Sequence, residues 1–241
     1  MSIFSFAFKN KKNLIYTDMH SHLIPAIDDG AKDLERSVEL ILALKAMNYK
    51  KIITTPHISD MFPNSSEQIK EGYGVLKNEL LKRDIDIDIE IGAEYYADES
   101  FEKLLRKKDI LSFGEKNYLL FELSYFSYPR DLESLIYDIK LAGYTPVLAH
   151  PERYTYFHHS LEEYYSLKNM GVLFQINLVS IVNYYSSDIT KVVKELIVNG
   201  LVDFIGTDMH HRGYTKAIHS SFSSSLYSKI FKYNTILNDT L

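Results

Sequence analysis

Short β-rich runs alternate with longer amphipathic stretches along nearly the whole chain. Apolar and β-branched residues predict strands over 14–19 (LIYTDM), 51–55 (KIITT), 86–92 (DIDIEIG), 118–123 (YLLFEL), 145–149 (TPVLA), 172–177 (VLFQIN) and 202–207 (VDFIGT). Between them the period lengthens. In 34–47, Leu34, Val38, Ile41 and Leu42 recur at helical spacing behind Asp33, a favourable N-cap residue. Further helical patterns cover 65–83, 98–107, 130–142, 160–170 and 187–199, and Gly143, Gly171 and Gly200 stand where the last three should close. A final helix is expected within 216–232. Repeated strand–helix alternation predicts an α/β fold with parallel strands and outer helices, either a barrel or a doubly wound sheet. No repeat or linker divides the chain, so 14–241 is expected to form one domain behind an N-terminal extension, 1–13.

Composition narrows the chemistry. A length of 241 residues suits one large domain with a sizeable core. The net charge is −5 and no long basic run occurs, which argues against nucleic acid as the main partner. No apolar stretch is long enough for a transmembrane segment. The N-terminal MSIFSFAFKNKK places its apolar residues before its lysines, the reverse of a secretory signal, so a cytoplasmic location is expected. There is no cysteine. Disulfides, thiolate ligands and cysteine nucleophiles are thereby excluded, leaving hydroxyls, imidazoles, carboxylates and metals.

The polar residues stand where a barrel enzyme would need them. The first strand runs into His20 and His22, and the second into His57. Glu94 follows the third, Glu122 lies near the end of the fourth, His150 follows the fifth, and the seventh delivers Asp208 and His210. Active sites of (β/α) barrels are built from the C-terminal ends of several strands. A doubly wound sheet would not need a metal-competent side chain on nearly every strand, so the barrel is the better reading. In His-Ser-His and Asp-Met-His the ligand types alternate at i and i+2, on one face of an extended segment. Either pair alone is a weak signal. Together, five imidazoles and several carboxylates at one end of the strands are hard to bury without a metal. Imidazole and carboxylate without thiolate suit manganese, iron or zinc, and such ions generate a hydroxide nucleophile for hydrolysis, here most naturally at a phosphoester.

The segments TDMHSHLIPAIDDGAKD, ITTPH, GAEYY, LLFELS, PVLAHPERY and GTDMHH, in this order over about residues 16–212, closely resemble the PHP (polymerase and histidinol phosphatase) superfamily. Within it they look most like the metal-dependent bacterial tyrosine phosphatases of capsule and exopolysaccharide loci. The resemblance implies a distorted seven-stranded (β/α) barrel, a TIM-like PHP fold, with three divalent cations, usually manganese. It also implies nine ligands: His20, His22, Asp29, His57, Glu94, Glu122, His150, Asp208 and His210. Asp29 enters on the resemblance alone, because from its residues the Asp-Asp-Gly stretch reads as a turn. Four carboxylates against three dications leave a formal charge of +2, suited to hydroxide and a phosphate dianion. Arg153 would bind the phosphate. Arg212 is a second candidate, although relatives place their arginine a few residues further on. The implied substrate is a phosphotyrosyl protein, the tail of a membrane-associated tyrosine kinase controlling polysaccharide export. The competing expectations are a small-molecule phosphatase acting on histidinol phosphate and a noncatalytic PHP binding module.

Other features carry less weight. The pairs Tyr95/Tyr96, Tyr164/Tyr165 and Tyr184/Tyr185 could line a phosphotyrosine cleft or an interface, with packing or an interface the default expectation and an oligomer left open. His158, His159 and His211 read as loop histidines, with a minor supporting role allowed for His211.

Overall fold

The computed structural model describes residues 14–241 apart from His159. The expected extension, 1–13, and the loop position of His159 lie outside the described residues. The strands are β1 (Thr17–Asp18), β2 (Lys51–Thr54), β3 (His57–Ile58), β4 (Asp88–Ile91), β5 (Glu94–Tyr96), β6 (Tyr118–Glu122), β7 (Thr145–Ala149), β8 (Leu173–Asn177) and β9 (Phe204–Gly206). Each strand pairs parallel with its neighbours, in a three-stranded sheet β1-β2-β4 and a six-stranded sheet β3-β5-β6-β7-β8-β9.

Two of the expected strands, 51–55 and 86–92, appear as β2 and β4, and each is followed by a short second strand, β3 or β5, that lies beyond its expected bounds. After β2, Thr55 N donates to Ser21 O at 2.7 Å, and Pro56 has no N–H to give a ladder. After β4, Ala93 N turns aside to Leu111 O at 3.2 Å. Each chain resumes a step further on, β3 beside β5, and these short second pieces begin at His57 and Glu94. Beyond β1 and β9 the chains meet again: Ser21 bridges Met209 in parallel, and Asp208 N donates to His20 O at 2.8 Å.

The helices are α1 (Leu34–Ala46), α2 (Ser66–Lys82), α3 (Glu99–Lys107), α4 (Leu132–Leu141), α5 (Leu161–Asn169), α6 (Ser187–Val198), α7 (Tyr214–Ser221) and α8 (Ser225–Tyr233). Asp33 caps α1 by accepting from Arg36 N at 2.8 Å. Gly143, Gly171 and Gly200 take positive φ just past α4, α5 and α6. The expected helix over 216–232 is two helices. Ser224 interrupts it by capping α8 with its hydroxyl, and the surrounding serines favour such local bonds over helix continuation.

Both faces of the central strands are covered. In β6, Leu119 and Phe121 join the main core with the helices, whereas Tyr118 and Leu120 join a smaller core with Met19, Ile53, Val147 and Phe204. Glu122 continues the second alternation, so the face that buries Leu120 also carries this carboxylate.

Asn238, near the C-terminus, fastens β1 to β9. Its Nδ2 donates to Thr17 O at 2.9 Å and Ile205 O at 2.7 Å, and its Oδ1 accepts from Ile205 N at 2.9 Å. Asn238→Ala should strand these buried groups and cost about 2–3 kcal/mol. Thermal unfolding should then begin about 4–12 °C lower; an unchanged midpoint would show that this fastening is dispensable.

Candidate metal centre

All nine side chains singled out as ligands converge: Glu122 ends β6, His20, His22, His150, Asp208 and His210 follow β1, β7 and β9, His57 and Glu94 open β3 and β5, and Asp29 comes from the loop before α1. His22, Asp29, His57 and His210 form one group, and His20, His22 and Asp208 a second. His20, Glu94 and His150 form a third, and His57, Glu94 and Glu122 a fourth. Within each group the donor atoms lie within 4.8 Å of one another. Glu94 is the hub. Its Oε2 lies 3.1 Å from His20 Nε2, 3.2 Å from His57 Nδ1 and 3.4 Å from His22 Nε2, while Oε1 lies 3.0 Å from His150 Nε2. Asp29 Oδ1 is 3.3 Å from His210 Nε2 and 3.6 Å from His57 Nε2.

The backbone is bent to deliver these groups. His150 and Asp208 have φ of 35° and 52°, in the left-handed region that non-glycine residues rarely occupy. Such conformations cost about 1–3 kcal/mol each and persist only where the surroundings hold them. Arg153 N bonds His150 O at 2.9 Å, and Asp208 N bonds His20 O. Gly206 leaves room beneath the site: a Cβ there would lie 2.6 Å from His20 Cβ and 2.7 Å from Gln175 Nε2.

Residues behind the cluster aim the imidazoles. His20 Nδ1 donates to Gln175 Oε1 at 2.7 Å, His22 Nδ1 to Asp28 Oδ2 at 2.8 Å, and His210 Nδ1 to Asp208 O at 2.9 Å. Each bond leaves Nε2 as the lone-pair nitrogen, facing the cluster. The Gln175 amide is held in turn by Nε2 donating to Asn177 Oδ1 at 3.0 Å, and Asn177 Nδ2 donates to Asp208 Oδ2 at 2.7 Å. Asp28 also accepts from His57 N and Gly30 N. A Cβ on Gly30 would lie 2.2 Å from His22 O, so only glycine lets this loop fold back. Sequence reading missed Asp28, Gln175 and Asn177. Their signal is present: Gln175 and Asn177 stand at i and i+2 on the one expected strand that ends without a ligand type.

Charge alternates through the cluster. Burial opposes ionisation of His20, but Glu94 and Asp208 outweigh it and raise the imidazolium pKa to about 9. Burial, with Arg153 beside it, depresses His150 to about 4, and burial also lowers His57 to about 4. Burial pushes Glu94 and Asp208 up, yet the facing histidines hold both well below the usual carboxylate range. Glu122 goes the other way, raised by burial and by Glu94. The donor set fits divalent cations: a bound cation would take the place of the imidazolium protons, and the freed Nε2 lone pairs and the carboxylate oxygens would surround it without thiolate. The buried His150 Nδ1 has no hydrogen-bond partner among the described residues.

In front of the cluster opens a cavity of about 640 Å³. Arg153 reaches into it between the rings of Tyr125 and Tyr185, at 4.6 and 4.7 Å, with Nη1 3.4 Å from Asp208 Oδ2. Tyr185 thus has a positioning contact that its sequence did not suggest. Tyr96 lines the cavity, while Tyr95 and Tyr164 are buried. Arg212 is not brought to the cluster. It is exposed and lines an adjoining, smaller cavity. His211 lines both cavities, and His158 Nε2 donates to Glu152 O at 2.8 Å.

An all-parallel α/β fold with this donor set at its strand ends has the build of a metal-dependent hydrolase. The family model for capsular polysaccharide synthesis, CpsB/CapC, matches residues 16–229. The chain belongs to the CpsB/CapC family. It is 32% identical over 195 residues to the tyrosine-protein phosphatase YwqE of Bacillus subtilis (strain 168), covering 80% of this chain and 77% of that protein. It is 31% identical over 201 residues to the tyrosine-protein phosphatase CpsB of Streptococcus agalactiae serotype V, covering 80% and 82%. A solved structure from work on YwqE of Bacillus subtilis and CpsB of Streptococcus pneumoniae, described as unique metal-dependent tyrosine phosphatases, superposes with a TM-score of 0.78. That match has 28% identity over 93% of this chain and 97% of the other.

If Gln175 sets the tautomer of His20, Gln175→Leu should leave the fold intact and weaken divalent-cation affinity about 10–100-fold. Titration against a chelating dye measures this; unchanged affinity would reduce Gln175 to packing.

Proposed function

We propose that this chain is a metal-dependent protein-tyrosine phosphatase whose nine convergent side chains hold three divalent cations, manganese first, with iron or zinc as alternatives. The observation that carries the reading is the convergence on Glu94 of imidazoles from β1, β3 and β7, in a member of a family whose named relatives are tyrosine phosphatases. We read the two sheets as the distorted seven-stranded PHP barrel, supported by the Ser21–Met209 bridge between their outer ends. Its working place would be the cytoplasm, and its partner the phosphotyrosyl tail of a membrane-associated kinase in capsule or exopolysaccharide synthesis. No helix among the described residues is long and apolar enough to cross a membrane.

Bound cations would supply Lewis acidity, bringing the acidity of water toward neutrality and offsetting phosphate charge. The chain supplies the rest. Arg153 offers a planar fork to phosphate oxygens, and its two tyrosine neighbours hold the guanidinium in place. Phe62, Phe126, Tyr96 and Tyr214 add aromatic wall around it, suited to an aryl ester. Acids outside the donor set are already engaged: Asp98 caps α3 through Phe101 N at 2.8 Å, and Asp60 accepts from Ser100 Oγ at 2.7 Å. Among the described residues, no carboxyl group of this cavity outside the donor set is free of such a partner, and we read the site as favouring a leaving group that departs unprotonated. A phenolate, of parent pKa about 10, meets that need better than an alkoxide.

Stripping the protein with a chelator should abolish turnover, and manganese should restore it. In the restored protein, kcat/KM for a phosphotyrosyl peptide should exceed that for phosphoserine and histidinol phosphate by at least about tenfold, about 1.4 kcal/mol in barrier. Equal or better turnover of histidinol phosphate would establish the small-molecule reading instead, and no turnover of any ester would favour a binding module. Arg153→Ala should lower kcat/KM about a hundredfold with the metal content unchanged; unaltered kinetics would confine Arg153 to its contact with Asp208.

A further inference from the structure

The smaller cavity beside the metal centre carries charge opposite to that of the chain. Lys32, Arg36 and Arg212 line its volume of about 490 Å³, in a protein of net charge −5. Asp29, His210 and His211 are walls of both cavities, so the two adjoin. Arg36 pairs with Glu39 at the surface, whereas no ion pair of the described residues involves Lys32 or Arg212.

Helix stability does not explain where these cations stand. Lys32 precedes α1 and Arg36 sits in its first turns, the positive end of the helix dipole, where a cation is unfavourable. Asp33 already caps that end. Arg212 stands just before the N-cap of α7, again at a positive end. Basic side chains added to two helix N-termini concentrate positive potential on one small concave surface, the arrangement that holds anions.

We infer that this basic annex receives an anionic residue of the substrate chain, a carboxylate or second phosphate near the phosphotyrosine seated in the larger cavity. The inference rests on the phosphotyrosine reading above. It makes the annex a determinant of which tyrosines are dephosphorylated, while Arg153 and the metal donors act on the scissile group. In an extended peptide side chains alternate between faces at about 3.3 Å per residue, so a charged residue two positions from the phosphotyrosine, about 7 Å along the chain, faces the same surface and is presented to an adjoining cavity without a turn.

The test compares phosphotyrosyl peptides with neutral, glutamate-containing and doubly phosphorylated flanks, beside p-nitrophenyl phosphate as a substrate too small to reach the annex. The manganese-loaded protein should prefer the anionic flanks, and the glutamate and phosphate arms identify which anion is favoured. Lys32→Ala/Arg36→Ala should lower kcat/KM for the preferred peptide about tenfold and leave p-nitrophenyl phosphate unchanged. Lys32→Glu/Arg36→Glu should abolish or reverse the preference. Fluorescence anisotropy with non-hydrolysable phosphonate peptides should show the same order in Kd. Removing cations from a helix N-terminus does not weaken the helix, so a folding defect would not mimic this result. Turnover of all peptides alike by the unaltered protein would overturn the inference and spare the phosphatase reading. Failure to hydrolyse any peptide or p-nitrophenyl phosphate would overturn both.

Discussion

Five imidazoles and three further carboxylates packed around Glu94 are the constraint that the rest of the structure answers to. A buried, unpaired charge costs several kcal/mol, so such a group is tolerated only if every member is held toward a compensating neighbour. Parallel strands answer this by bringing donors from β1, β3, β5, β6, β7 and β9 or the turns just after them to one place, joined by Asp29 from a loop. Asp28, Gln175 and the Asp208 carbonyl answer it from behind, by fixing Nδ1 of three imidazoles and turning Nε2 inward. The left-handed backbone at His150 and Asp208 is the local strain that this delivery requires.

The same constraint explains the breaks in the sheet. A continuous second strand would keep pairing with β4 past Thr54. Instead the chain shifts at Thr55 and Pro56 and resumes beside β5, which places His57 opposite Glu94 in register. His57 Nδ1 then lies 3.2 Å from Glu94 Oε2. Irregularity in the strands thus sits where ligands are set, and regular pairing in β6, β7 and β8 supplies the rigid frame beneath.

Much of this was legible in the residues. Period-2 runs and terminal glycines marked most strands and helices, because local backbone preferences and tertiary packing agree there. The His-x-His and Asp-x-His pairs announced a shared face. What escaped reading depends on contacts far apart in sequence. Gln175 is an ordinary buried strand residue until His20, 155 positions away, donates to it. Tyr185 gains its contact only when Arg153 lies against its ring, and Arg212 stands at the neighbouring cavity, just before the Gly213 N-cap of α7. The helix expected within 216–232 is divided in two for a local reason, a serine run whose hydroxyls compete for the backbone.

Two adjoining spaces carry the proposed function, one with donors and Arg153 for a phosphoryl group, the other basic and set apart from the chemistry. The central claim is that the first holds divalent cations through the nine named side chains. Anomalous diffraction at the manganese edge, from crystals grown in millimolar manganese, tests it most directly. The account predicts three anomalous peaks, each within coordination distance of side chains drawn from the nine. Well-ordered imidazoles and carboxylates with no anomalous density among them would contradict it.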